Sequence, residues 1–154
     1  MSFRLDSFNS LLHGVPKYEL EKLQRIQNAA AKLIVGLKKY DHVTPTLIDL
    51  HWLPVHARID FKVLILVYKC LHNLAPAYMC DLITPRVMDR SLRNDNCISL
   101  LVPRKKTATY GERAFSFIGP YLWNTLPNDC KNAESLSSFK CKLKTHLFKL
   151  AYNL

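Results

Sequence analysis

Glycine is scarce in this sequence, four among 154 residues, and the four stand apart at positions 14, 36, 111 and 119. That scatter leaves no glycine-rich loop to cradle a phosphate and no Gly-x-Ser-x-Gly elbow to present a nucleophile. Cysteines are odd in number, at 70, 80, 97, 130 and 141, with no two closer than ten residues. A zinc knuckle needs close pairs and a secreted disulfide framework needs an even set, so these read as free thiols in a reducing, intracellular setting, nucleus or cytoplasm. Cys70 with His72, and Cys141 with His146, are badly spaced for shared ligation on a helix. The longest unbroken apolar run, Val63 to Tyr68, is far short of the roughly 20 residues a spanning helix needs. Asp6 and Asn9 interrupt any signal-peptide core. No membrane partner is expected.

Acids are the other shortage. Eight aspartates (6, 41, 49, 60, 81, 89, 95 and 129) are dispersed, with no two adjacent or separated by a single residue. Nucleotidyl transfer by the two-metal route needs close-set carboxylates to hold the ions. The chain is therefore expected to catalyse no polymerisation, to carry no cofactor and to act on no small-molecule substrate.

What is present is positive charge and helical periodicity. Lysine and arginine total 22 against 12 acids, a formal +10 that favours a polyanionic partner. A hydrophobic share of 49% with 22% charged residues is the balance of a folding chain. Leu20, Leu23, Ile26, Ala30, Leu33, Ile34 and Leu37 recur at spacings of three and four, predicting one apolar stripe on a helix from Pro16 to Leu37. Thr44-Pro45 opens a short helix through Leu50. Val55 to Leu74 reads as a second long helix, apolar on nearly every side and so the buried centre of a bundle. Pro76 opens a further short helix through Ile83.

Periodicity then disappears from Thr84 to Thr109, where Arg86, Arg90, Arg93, Arg104, Lys105 and Lys106 meet only Asp89 and Asp95. Ile98 to Val102 suits one short strand. Glu112 to Ile118 is helical again, and Pro120, Tyr121-Leu122-Trp123 and Pro127 mark a compact turn. The last helix starts near Ser135, with Leu136, Phe139, Leu143, Leu147 and Leu150 on one stripe. The fold class expected is mainly α: a small helical bundle over 1–83, a basic irregular region over 84–110 with room for one short β-hairpin, and a C-terminal extension over 111–154, ending in an amphipathic helix, that packs on the bundle.

Two basic clusters carry the candidate chemistry. Arg104-Lys105-Lys106 followed by Tyr110 and Arg113 joins phosphate-binding charge to an aromatic that can stack on a base or sugar. Lys140, Lys142 and Lys144 line the terminal helix beside its apolar stripe; a solvated helix face would show the same pattern. Trp52 and Trp123, set among leucines and prolines, read as core anchors.

Four stretches in order, KLQRIQNAAAKLIVGL (22–37), YDHVTPTLIDLHWLPVHARIDFKVLILVYKCLHNLAPAYM (40–79), LLVPRKKTATYGERAFSFIGPYLWNTLP (100–127) and SLSSFKCKLKTHLF (135–148), carry a resemblance. Together they resemble the region downstream of the catalytic core in non-LTR, LINE-type retrotransposon reverse transcriptases of the jockey-like group. The resemblance implies the end of a polymerase thumb and a post-thumb extension, gripping RNA or a DNA/RNA template-primer and packing on the polymerase core. The parent RNA-directed DNA polymerase would use Mg2+, but the palm's aspartate pair and the endonuclease have no counterpart positions here. A non-catalytic scaffold or interaction module, or an element relic, remains the alternative.

Overall fold

The computed structural model describes residues 9–86, 98–104 and 111–154. Seven α-helices lie among them: α1 (Lys17–Val35), α2 (Thr44–Asp49), α3 (Val55–Leu71), α4 (Ala77–Cys80), α5 (Phe115–Thr125), α6 (Asn128–Lys131) and α7 (Leu136–Tyr152), with 3-10 turns at Asn9–Leu12 and Gly111–Arg113. The molecule is mainly helical. Its residues sort into two compact units, one of 1–61 with 144–154 and one of 62–143, so α3 and α7 contribute residues to both.

In the first unit, α1 ends where the sequence says it should. Gly36 takes φ 75, its N–H donates to the Lys32 carbonyl, and Leu37 N–H adds a second bond to that oxygen at 3.0 Å. A Cβ at Gly36 would meet nothing, so glycine is there for its backbone freedom. The face that α1 buries is another matter. Gln27 and Ala31 are the fully covered residues, while Ile26, Leu33 and Ile34, from the expected core stripe, are 56%, 82% and 61% exposed.

Two glutamines account for that rotation. Gln24 Oε1 accepts the N–H of Val55 at 2.9 Å, satisfying a donor that the first turn of α3 would otherwise leave orphaned. Gln27 Nε2 donates to the Leu53 carbonyl at 2.8 Å. Turning α1 to bury Ile26 and Leu33 instead would strip two backbone groups of their partners, each costing about 1–3 kcal/mol. At the other end of this unit, Tyr152 donates its hydroxyl to the Trp52 carbonyl at 2.6 Å, and Phe148 lies between Tyr152 and His51, with ring centroids 4.8 and 5.8 Å away.

The second unit is organised around Tyr68, Trp123 and Phe139, all almost wholly buried. Phe139 stacks on Tyr68 at 4.4 Å and tilts against Trp123 at 5.8 Å, and the Tyr68 hydroxyl donates to the Ala133 carbonyl at 2.9 Å. That bond lets a polar phenol sit in the core. Ser135 caps α7 through its Oγ, which accepts the Ser138 N–H at 3.2 Å.

One segment differs in kind from the sequence expectation. The compact turn around Pro120 is a helix: Pro120 sits inside α5, buried, and Gly119 before it is buried too. Proline there removes one helical hydrogen bond. Glycine at the preceding position eases the clash that proline imposes on its neighbour, and it lets α5 press close, since a Cβ at 119 would stand 2.9 Å from Val67 Cγ2. Packing outweighs the local signal. The expected β-hairpin reduces, among the described residues, to a single antiparallel bridge between Pro85 and Leu100.

Candidate nucleic-acid interface

Arg104 closes the described segment 98–104, and that segment is held by α5. Asn124 Oδ1 accepts the Leu100 N–H at 2.9 Å and Asn124 Nδ2 donates to the Leu100 carbonyl at 2.8 Å. Trp123 Nε1 donates to the Ile98 carbonyl at 2.8 Å. On the opposite side Arg86 N–H donates to Ser99 at 2.8 Å and Leu101 N–H to Thr84 at 2.9 Å. Pro85 and Leu100 therefore face each other as a non-hydrogen-bonded pair, and the N–H and carbonyl of Leu100 point away from Pro85, where Asn124 takes both. Trp123 is the core anchor that the sequence suggests, and its indole N–H also fixes the basic segment; Trp52 is half-buried.

The bridge also separates charges. Arg86 lies on the Ser99 side of it and Arg104 on the other, both exposed. Arg113, in the turn before α5, is exposed as well. Lys105, Lys106 and Tyr110 lie outside the described residues.

The three lysines of α7 differ among themselves. Lys140 and Lys144 are exposed and four residues apart on the helix. Lys142 is half-buried, and its Nζ reaches Asp129, 3.2 Å from Oδ1 and 3.1 Å from the carbonyl oxygen. An exposed pair of that kind contributes under about 1 kcal/mol, yet it occupies the ammonium. None of the described acids forms an ion pair with Arg104, Arg113, Lys140 or Lys144. Asn124 and Asp129, which position a candidate segment and a candidate lysine, were not marked by any sequence signal; a lone Asn after Trp123 reads as a polar surface residue.

A large titration shift falls elsewhere. Asp60 on α3 is 3.8 Å from His13 Nε2, and burial pushes its carboxyl up to about 6. Burial lowers His13 too, so a neutral imidazole offers Asp60 little countercharge. Among the described residues no three His, Cys, Asp or Glu side chains converge to hold a metal ion. Nothing among the described residues therefore fits the Mg2+ pair of a polymerase. No described helix is long and apolar enough to cross a membrane. Comparison with protein-family models, with curated proteins and with solved structures found no match.

Proposed function

We propose that this chain is a non-catalytic nucleic-acid-holding segment, the thumb-end and post-thumb region of a LINE-type RNA-directed DNA polymerase, acting inside the cell in nucleus or cytoplasm. The observation that carries this reading is the set of exposed cations, Arg104, Arg113, Lys140 and Lys144, that no described acid neutralises. The four ordered stretches of resemblance and the formal +10 supply its context. Exposed, unpaired arginines and lysines bind phosphate without reading bases, and the partner in this reading is RNA or a DNA/RNA template-primer.

Fluorescence anisotropy with labelled RNA, DNA and hybrid oligonucleotides, titrated across salt, tests it. Binding is expected at low salt, with log K falling by about 0.7 to 0.9 per phosphate neutralised for each decade of salt. Reversing Arg104, Lys105 and Lys106 to glutamate is expected to weaken binding to all sequences alike and to flatten the salt slope. Failure to bind any of the three at low salt overturns the proposal.

A second reading has its own observation. Apolar residues left exposed on α1, Ile26 and Leu33 on its outer face with Ile34 and Val35 at its end, each more than half exposed, are the surface of an interaction module whose apolar side packs on the rest of a larger polypeptide. Size-exclusion chromatography separates the readings: a monodisperse monomer that binds nucleic acid supports the first, a self-associating chain indifferent to it supports the second.

A further inference from the structure

Beyond Gly36, where α1 ends, the chain enters a short turn that its own side chains hold in place. The Asp41 N–H donates to the Lys38 carbonyl at 3.2 Å, closing a β-turn with Lys39 and Tyr40 at its centre. Asp41 Oδ2 accepts the Lys38 N–H at 2.8 Å, so the same residue ties the turn a second time. From α1, Lys32 Nζ donates to the Lys39 carbonyl at 2.7 Å and reaches the Lys38 carbonyl at 3.5 Å. The backbone of this tip is thus set before any partner arrives, which lowers the ordering cost of binding.

What the turn presents is cationic and aromatic. Lys38, Lys39 and His42 are exposed, and Tyr40 is 88% exposed, the most open large hydrophobic side chain among the described residues. Among those residues no acid forms an ion pair with Lys38 or Lys39, and the carboxylate of Asp41 accepts a backbone N–H instead. The Lys39 ammonium lies over the Tyr40 ring, 5.6 Å from its centroid, a cation–π contact that orients the ring. The other face of the ring is open. Core packing does not use it.

We propose that the turn from Lys38 to Asp41 is a further nucleic-acid contact, a stacking site for single-stranded RNA or DNA, which deepens the nucleic-acid reading and rests on it. An unstacked base lies on the open face of Tyr40, while Lys38 and Lys39 neutralise the phosphates that flank it. Stacking of this kind accepts any base, because every base has a π-face. A duplex keeps its bases stacked on one another along its length. The ring therefore discriminates single strands from duplex, where the lysines alone do not.

Fluorescence anisotropy of the intact chain on a labelled single-stranded oligouridine and on an RNA/DNA hybrid duplex tests the site. Tyr40→Ala is expected to weaken oligouridine binding about 5- to 150-fold and to leave its salt slope unchanged, since tyrosine neutralises no phosphate. Affinity for the duplex should change by less than about twofold. At 88% exposure the alanine chain is expected to fold as the parent does. Tyr40→Phe, which keeps the ring, should bind like the parent. Lys38→Gln combined with Lys39→Gln should weaken both probes and lower the slope on oligouridine by about 1.4, two cations at about 0.7 each. Parent-like binding of oligouridine by the Tyr40→Ala chain overturns the site and leaves the broader reading standing. So does an equal loss on strand and duplex. So does a Tyr40→Ala chain that binds RNA normally but loses affinity for phosphatidylserine vesicles, which would make the turn a membrane contact. A parent chain that binds neither oligonucleotide overturns both.

Discussion

The side-chain amide of Asn124 grips both polar backbone groups of Leu100, accepting its N–H at 2.9 Å and donating to its carbonyl at 2.8 Å. The geometry imitates one rung of a β-ladder, with a helix side chain in the place of a strand. Leu100 is 2% exposed, so neither group has water as a substitute.

Replacing Asn124 with alanine therefore leaves two buried backbone groups without partners. The expected loss is about 1–3 kcal/mol in a urea titration. The same variant should weaken oligonucleotide binding at fixed salt, because Arg104 loses the segment that holds it. A variant as stable as the parent would show that the amide contributes nothing to this anchor.

Gly119 offers a second test, in which the usual rule for helices reverses. Glycine to alanine inside a helix normally gains up to about 1 kcal/mol. Here the new Cβ would stand 2.9 Å from Val67 Cγ2, and Val67 is wholly buried. Overpacking is expected to win, with a net loss of about 1–2 kcal/mol. Thermal melting checks the sign, and a raised Tm would contradict the close approach.

Asp60 gives the stability a pH dependence of predictable direction. Its folded carboxyl is raised by burial to about 6, above the ordinary 3.8. Between those values the folded chain keeps a proton that the unfolded chain has released, so this contribution is full at low pH and is lost as pH rises through 6. His13 and His56, lowered by burial, act the other way: their contribution is present above their ordinary 6.5 and is lost as pH falls through their folded values. Comparing wild type with Asp60→Asn cancels most of the histidine part. The advantage of the asparagine variant should grow by about 2 kcal/mol from pH 4 to 6.5 and then level off. A difference that stays flat over that range would remove burial as the cause.

The outer face of α1 can be probed without disturbing the fold. Leu33 and Ile34 are 82% and 61% exposed, so glutamate at either position is expected to change stability by under about 0.5 kcal/mol. If α1 is an interaction surface, sedimentation velocity should show association in the parent and a monomer in the double variant. Equal sedimentation of the two would leave the face as ordinary solvent-exposed surface.

Much of the helix inventory was written in local residue chemistry. Pro16, Gly36, Thr44-Pro45, Pro76 and Ser135 punctuate the chain at or near the boundaries that the structure shows, because capping and backbone conformation depend on a few neighbouring residues. The terminal helix stripe through Phe139, Leu143 and Leu147 was equally plain, although Leu150, its last member, is 67% exposed. Of the candidate site, the sequence supplied the charges and their clustering, and nothing more local was needed for that.

The rotation of α1 was decided elsewhere. Its apolar stripe pointed to one face, but hydrogen bonds from Gln24 and Gln27 to Val55 and Leu53 chose another, and those partners lie 31 and 26 residues away. Pro120 and Gly119 read as a turn until Val67 is seen across from them. Lys142 looks like its neighbours until Asp129 occupies it. The sequence by itself determined where helices begin and end and how much charge the chain carries, since both depend on short-range chemistry. Which face is buried and which cation stays open were decided only by the tertiary structure, because each depends on a partner that sequence spacing does not reveal.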